Sequence, residues 1–159
     1  MAVEAVPKGY HTITPYMTVR DAARAIEFYK QAFGAVEKGV SKTPDGKIMH
    51  AELRIGDSII MLADEFPQFG ALSPQTTGGT GMGLHIYIED VDSAFDRAVK
   101  AGATVEMPVA DMFWGDRYGK VVDPFGHEWS IATHKEDVSP EEMKKRSDEM
   151  CAKMAAGKH

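Results

Sequence analysis

Cysteine is nearly absent: Cys151 is the only one in 159 residues. No disulfide can close within the chain, a tetrathiolate zinc site is excluded, and a reducing compartment is the simpler setting. Long apolar runs are missing as well. No stretch of 18 apolar residues occurs, and the opening "MAVEAVPKGYHT" has neither the basic nor the apolar region of a secretory signal. A cytoplasmic protein that does not enter a membrane is the expectation. Positive charge is scarce too, with 18 Lys and Arg against 24 Asp and Glu, a net charge of −6. Nucleic acid and anionic membranes both require a basic surface, so neither is an expected partner. The glycines of "GGTGMG" (78–83) do not end in GK[ST] and follow no strand, so they are no phosphate loop. Nor does any serine sit on the strand-turn-helix elbow of a hydrolase nucleophile.

What is present is a duplication. "RDAARAIEFYKQAFGAV" (20–36) and "EDVDSAFDRAVKAGATV" (89–105) superimpose with Val19 over Ile88, an offset of 69 residues. Ala22, Ile26, Tyr29 and Phe33 keep the helical period in the first copy, as Val91, Ala94, Phe95, Ala98 and Val99 do in the second. Gly34 and Gly102 stop the two helices. Each copy continues into an apolar extended segment, "AVEKGVSK" or "ATVEMPVA", and then a hairpin. In "IMHAELRI", Met49, Ala51, Leu53 and Ile55 alternate with His50, Glu52 and Arg54, and "GD" turns the chain into "SIIML". In the second copy "DRYGKVVD" turns through "DPFG" into "HEWSIAT". The strands ahead of the helices alternate in the same way, with Ile13, Met17 and Val19 opposing Thr12, Thr14, Tyr16 and Thr18. Leu84, Ile86 and Ile88 likewise oppose Gly83, His85, Tyr87 and Glu89.

Both copies therefore read β-α-β-β-β, an α+β fold with helices on one sheet face and polar groups on the other. The expected units are a first module over 10–63, a connection over 64–82, a second module over 83–134 and a C-terminal helix over 137–157. The polar faces are expected to curl toward one another and enclose a groove, with Phe66, Phe69 and Leu72 of the connection packed over its mouth. In the C-terminal segment Ser139-Pro140-Glu141-Glu142 is a capping box, and Met143, Met150 and Met154 share one helical face expected to pack on the protein's own body or on a second subunit.

The stretches "YMTVRDAARAIEFYKQAFGA", "MHAELRIGDSIIML", "LHIYIEDVDSAFDRAVKAGA" and "GDRYGKVVDPFGHEWSIATH" resemble the vicinal oxygen chelate superfamily of glyoxalases, bleomycin-resistance proteins and extradiol dioxygenases. "FWGDRYG" and "DPFGH" are most similar to its PhnB-like branch. The resemblance implies paired βαβββ modules, a small-molecule ligand in the groove between them, and a homodimer. It also implies four metal-ligand positions, which fall here on Thr14, Met61, Gly83 and Ser130. None supplies the imidazole, carboxylate or thiolate that zinc, nickel or iron needs, so no resident metal is expected. The alternative is a zinc or nickel ion on a shifted His50–Glu52–His85 set, serving a glyoxalase-type lyase, isomerase or dioxygenase.

His50 and His85, on polar strand faces, are the candidate acid–base groups, since imidazole titrates near neutrality. A partly solvated histidine is the bland alternative. Tyr16, Glu52, Met61 and Tyr87 share those faces and are candidate ligand contacts. Trp114, Arg117 and Tyr118 cluster around the turn of "MFWGDRY", where Arg117 is read either as a bidentate anchor for a carboxylate or phosphonate or as a salt bridge to Asp116 or Asp123. Trp129 has the parity of Ile131 and is assigned to the core. "DPFG" is read as a turn, with Pro124 setting φ and Gly126 taking the left-handed position.

Overall fold

Asp21 and Asp90 begin the two repeated helices by the same device: each carboxylate accepts a hydrogen bond from the backbone N–H three residues on, at 3.1 Å. In the computed structural model, which describes residues 2–157, strand β1 (Tyr16–Val19) leads into α1 (Ala22–Phe33). Strands β2 (Val36–Lys42), β3 (Ile48–Ile55) and β4 (Ser58–Asp64) complete the first module. A short connection holds a 3₁₀ turn at Pro67–Phe69 and the small helix α2 (Pro74–Thr77). The second module repeats the order with β5 (Gly83–Tyr87), α3 (Val91–Lys100), β6 (Thr104–Asp111), β7 (Asp116–Val122) and β8 (Glu128–His134). Helix α4 (Pro140–Ala156) follows.

Two separate four-stranded sheets result, ordered β1-β4-β3-β2 and β5-β8-β7-β6. In each, the strand before the helix lies parallel to the last strand, and the other pairs are antiparallel. The apolar side of each sheet packs on its own helix, and α1 and α3 meet one another. The core therefore lies between the sheets, built on Met17, Tyr29, Leu53, Leu62, Val121, Trp129 and Ile131. Burying Trp129 to 1% exposure bears out its assignment from strand parity.

One turn joins the modules. Asp123, 3% exposed, opens the "DPFG" turn, and its Oδ1 accepts from the backbone N–H groups of Phe125 and His127, both at 2.9 Å. Its Oδ2 accepts from the Tyr29 hydroxyl of α1 at 2.6 Å and from Trp129 Nε1 at 2.9 Å. Burial pushes the Tyr29 phenol well above its ordinary pKa, and the neighbouring carboxylate adds to the effect. Beside this staple, His127 Nε2 lies 2.9 Å from the carbonyl of Thr18, a second tie from the turn to the first module.

Four expectations are corrected. Strict alternation placed Met49 inside, yet Met49 is 51% exposed and Ile48 is 2% exposed. Between the pairs Ile48↔Lys42 and His50↔Ser41, β3 carries one residue more than β2, and this bulge reverses the parity below His50. Ile13 precedes β1 and is 84% exposed rather than core. The polar faces do not curl toward each other, because the helices occupy the space between the sheets. The connection does not cover a groove mouth either: Phe69 is exposed, and the segment is pinned along the joining turn by Gln75 Nε2 donating to the Pro124 carbonyl at 3.2 Å. Helix α4 buries no residue, and its last turns carry Met150, Cys151 and Met154 exposed to solvent. No helix is long and apolar enough to cross a membrane among the described residues.

Candidate functional site

Strand register decides which predicted residues meet. Tyr16 on β1, Met61 on β4 and Glu52 on β3 are direct cross-strand partners, so they form one row on the outer face of the first sheet. His50, one step along β3, completes the group: its Nδ1 lies 2.9 Å from the Tyr16 hydroxyl and its Nε2 lies 3.2 Å from Glu52 Oε1. Tyr10, which the sequence reading passed over, donates its hydroxyl to Glu52 Oε2. That bond and the one from His50 hold the Glu52 carboxyl below its ordinary range, and the same bond raises the Tyr10 phenol. Tyr10 precedes any regular strand, so no periodicity marks it.

On the second sheet, His85, Ser130 and Lys120 form one row, and Tyr87, Ala132 and Tyr118 form the next. The His85 ring lies 4.9 Å from Tyr87 and stacks on Tyr118 at 5.9 Å, while Trp114 meets Tyr118 edge-on at 5.5 Å. Tyr118 Oη and Ser130 Oγ are 3.0 Å apart. Behind this aromatic group sits Asp116, 4% exposed. Its carboxylate accepts from Tyr87 Oη at 3.0 Å and Trp114 Nε1 at 3.1 Å, and lies 2.8 Å from His134 Nδ1. Burial pulls the Asp116 carboxyl upward, but those three hydrogen bonds outweigh it and leave the group below its ordinary range. The Tyr87 phenol is raised by the bond it donates. His134 bonds Asp137 through its other nitrogen, and the two carboxylates raise its pKa. Lys120 was overlooked although it shares the parity of Tyr118; it pairs with Glu106 and Glu128, each at 3.2 Å.

Arg117 stands apart. It has the opposite parity on β7 and faces α3, where it clasps Asp92 at 2.7 and 2.9 Å and pairs with Asp111 at 3.1 Å. The bridge is real, but its partners are Asp92 and Asp111 rather than Asp116 or Asp123, and the fork is not directed toward Trp114 and Tyr118. No hydrogen bond or ring contact joins the Tyr16–His50–Glu52 group to the His85–Tyr87–Tyr118 group among the described residues.

Between the modules lies a cavity of about 660 Å³. Phe33, Ile60, Leu84, Ile86, Ile88 and Trp129 supply apolar walls. His85 and Tyr87 border it from β5, and His11, Asp57 and Ser58 border it from the first module. It therefore runs along the free edge of β5, the strand that carries two of the predicted residues.

The four positions expected to hold a metal do not fit one. Met61 offers only a thioether, Gly83 no side chain, Thr14 a hydroxyl, and Ser130 Oγ is engaged with Tyr118. The shifted set is not assembled either, because His50 and Glu52 belong to one sheet and His85 to the other. Among the described residues no three His, Cys, Asp or Glu side chains converge to hold an ion.

With this geometry the comparisons agree. The glyoxalase/bleomycin resistance protein/dioxygenase superfamily model matches residues 10–131, which spans both modules. The chain belongs to that superfamily. Within it, the chain is 44% identical over 146 residues to the uncharacterized protein Mb0911c of Mycobacterium bovis, covering 90% of this chain and 93% of that one. The crystal structure of the Arabidopsis thaliana At5g48480 gene product aligns with TM-score 0.63 and 29% identity, over 77% of this chain and 98% of that one. A Bacillus cereus PhnB protein aligns with TM-score 0.60 over 77% and 99%; at 18% identity it is a likeness of fold alone. The superfamily sets the two-module architecture, and the chemistry is a matter for each member's own residues.

Proposed function

We propose that this superfamily member binds a small organic molecule in the cavity between its modules, without a resident divalent metal. The cavity along β5 carries the reading. Its volume of about 660 Å³ falls within the roughly 300–1,000 Å³ of small-molecule sites, and it combines apolar walls with a few polar groups at one border. His85 and Tyr87 are the contacts that orient the ligand, and the rings of Tyr118 and Trp114 back them. The Tyr16–His50–Glu52 group lies outside this cavity and forms a second polar surface on the opposite sheet. Tyr16 is 51% exposed, and exposed aromatic surface of this kind is what a second copy of the chain covers in the homodimer that belongs to this reading.

The test is a titration of small aromatic and alicyclic compounds followed by amide NMR. Shifts gathered on residues 84–88 and 55–60 support the reading. Shifts scattered over the surface, or confined to residues near Tyr16 and His50, overturn it. Equimolar zinc or nickel added to the same sample is expected to leave the spectrum unchanged, and light scattering of that sample reads the proposed dimer directly.

A further inference from the structure

The two copies differ at the turn before their last strand. The 69-residue offset lays Tyr87 over Thr18 and Ser58 over His127. On β1 the Pro15 carbonyl accepts from the Met61 N–H of β4 at 2.8 Å. By strand alternation the backbone groups of Tyr16 and Thr18 then point the other way, to the free edge. The turn after β7 reaches that edge: it spans residues 123–127, and its His127 Nε2 lies 2.9 Å from the Thr18 carbonyl. A carbonyl can only accept, so the imidazole donates. On β5 the Ile88 N–H bonds the Ala132 carbonyl at 2.8 Å, so Leu84, Ile86 and Ile88 face β8. The N–H and C=O groups of His85 and Tyr87 therefore face the free edge. Here the matching turn is only Gly56-Asp57, between Ile55 and Ser58, and Ser58 donates its hydroxyl to Asp57 Oδ1 at 3.0 Å. Among the described residues nothing pairs with the His85 and Tyr87 backbone on this side, and the cavity lies between that edge and the short turn.

We infer that the ligand is a neutral secondary amide, about one extended amino-acid residue capped at both ends. It pairs with the β5 edge as a short added strand and lays its apolar side chain on the cavity wall. The inference rests on the proposed function and adds the hydrogen-bonding pattern by which the cavity selects. An edge residue offers one donor and one acceptor on the same side, and a single extended residue returns an acceptor and a donor in matching order. His85 and Tyr87 stand two steps apart, about 7 Å, which suits a molecule of this length. A hydrocarbon satisfies Phe33, Ile60, Ile86 and Trp129 but leaves both kinds of backbone group unanswered. A ligand with acceptors alone answers the N–H groups and not the carbonyls. Capped ends keep a terminal charge away from the apolar walls. On β1 the chain's own imidazole supplies the donor; on β5 the ligand does.

The probes are N-acetyl-phenylalanine N-methylamide and its ester analogue, O-acetyl-phenyllactic acid N-methylamide, in which oxygen replaces the phenylalanine N–H at nearly the same shape. Titration of the full-length protein near pH 7, read by amide NMR, is expected to give the amide roughly tenfold tighter binding than the ester, the scale of one hydrogen bond. At saturation with the amide, hydrogen exchange is expected to slow at the backbone N–H of His85, of Tyr87 or of both. The N–H groups of Leu84 and Ile86, already bonded to β8, change little. Affinities within about twofold of each other, or cavity shifts with unaltered exchange at His85 and Tyr87, overturn the inference and leave cavity binding standing. Failure of both probes to shift residues 84–88 also overturns it, and the proposed function falls as well only when the aromatic and alicyclic compounds leave those residues unmoved.

Discussion

Tyr29→Phe removes one oxygen from the joint between the modules and nothing else. The ring keeps its packing against Trp129, 5.3 Å away, and Phe28, 5.4 Å away. What disappears is the 2.6 Å bond to the buried Asp123 carboxylate. A hydrogen bond to a charged group contributes on the order of 2 kcal/mol, which in a chain of this length lowers the melting temperature by roughly 4–8 °C. Asp123→Asn is the more severe change, although it is nearly isosteric. The carboxylate has donors on both oxygens, two backbone N–H groups on one and two side chains on the other. An amide has a single acceptor oxygen, so either orientation turns its NH₂ against two buried donors. Two orphaned donors cost about 3–5 kcal/mol. Thermal and urea denaturation followed by circular dichroism, with the double variant closing a cycle, measure both costs and their coupling. A Tyr29→Phe protein melting within about 1 °C of wild type, or an Asp123→Asn protein no less stable than Tyr29→Phe, refutes the assignment of the turn as the joint.

Glu65 supplies an acid-sensitive latch on the connection. Hydrogen bonds from Thr76 and Ser73, with Arg20 nearby, hold its carboxyl down to about 2. A lowered folded value contributes stability above the ordinary carboxylate range that is lost as pH falls toward 2, so limited proteolysis of residues 65–78 should accelerate across that window and Glu65→Gln should abolish the pH dependence. Gly119→Ala meets the Phe95 ring at 2.8 Å and a Val109 methyl at 2.9 Å, whereas Gly39→Ala has open space around it. The first is expected to cost roughly 1–3 kcal/mol in denaturant unfolding and the second almost nothing; equal effects would count against the packing of α3 on β7.

Local signals in the chain told which residues share a face. The stops at Gly34 and Gly102 and the inward side of Trp129 follow from spacing over a few residues, whereas the caps at Asp21 and Asp90 emerged only with the structure. The β3 bulge escaped, since one added residue at Met49 leaves no compositional trace. Longer-range facts escaped for a different reason. Tyr29 and Asp123 lie 94 residues apart, and nothing in either neighbourhood announces the other. Arg117 was weighed against Asp116 and Asp123, but Asp92 on α3 and Asp111 on β6 claimed it. Alternation likewise reveals that each sheet has a polar side while remaining silent on whether two such sides meet, a question settled by how α1 and α3 pack.

The modules are fastened on one side of their strands, and polar rows are displayed on the other. The joint uses Tyr29, the 123–129 turn and the inner helix faces, whereas Tyr16, His50, His85, Tyr87 and Lys120 project from the opposite sides of the strands. A library that randomises the outward positions should therefore leave folding yield nearly intact, and a hybrid that borrows either half from a relative should assemble wherever the tyrosine and the aspartate are both retained. Such a scaffold can vary its outward rows without renegotiating how its halves hold together.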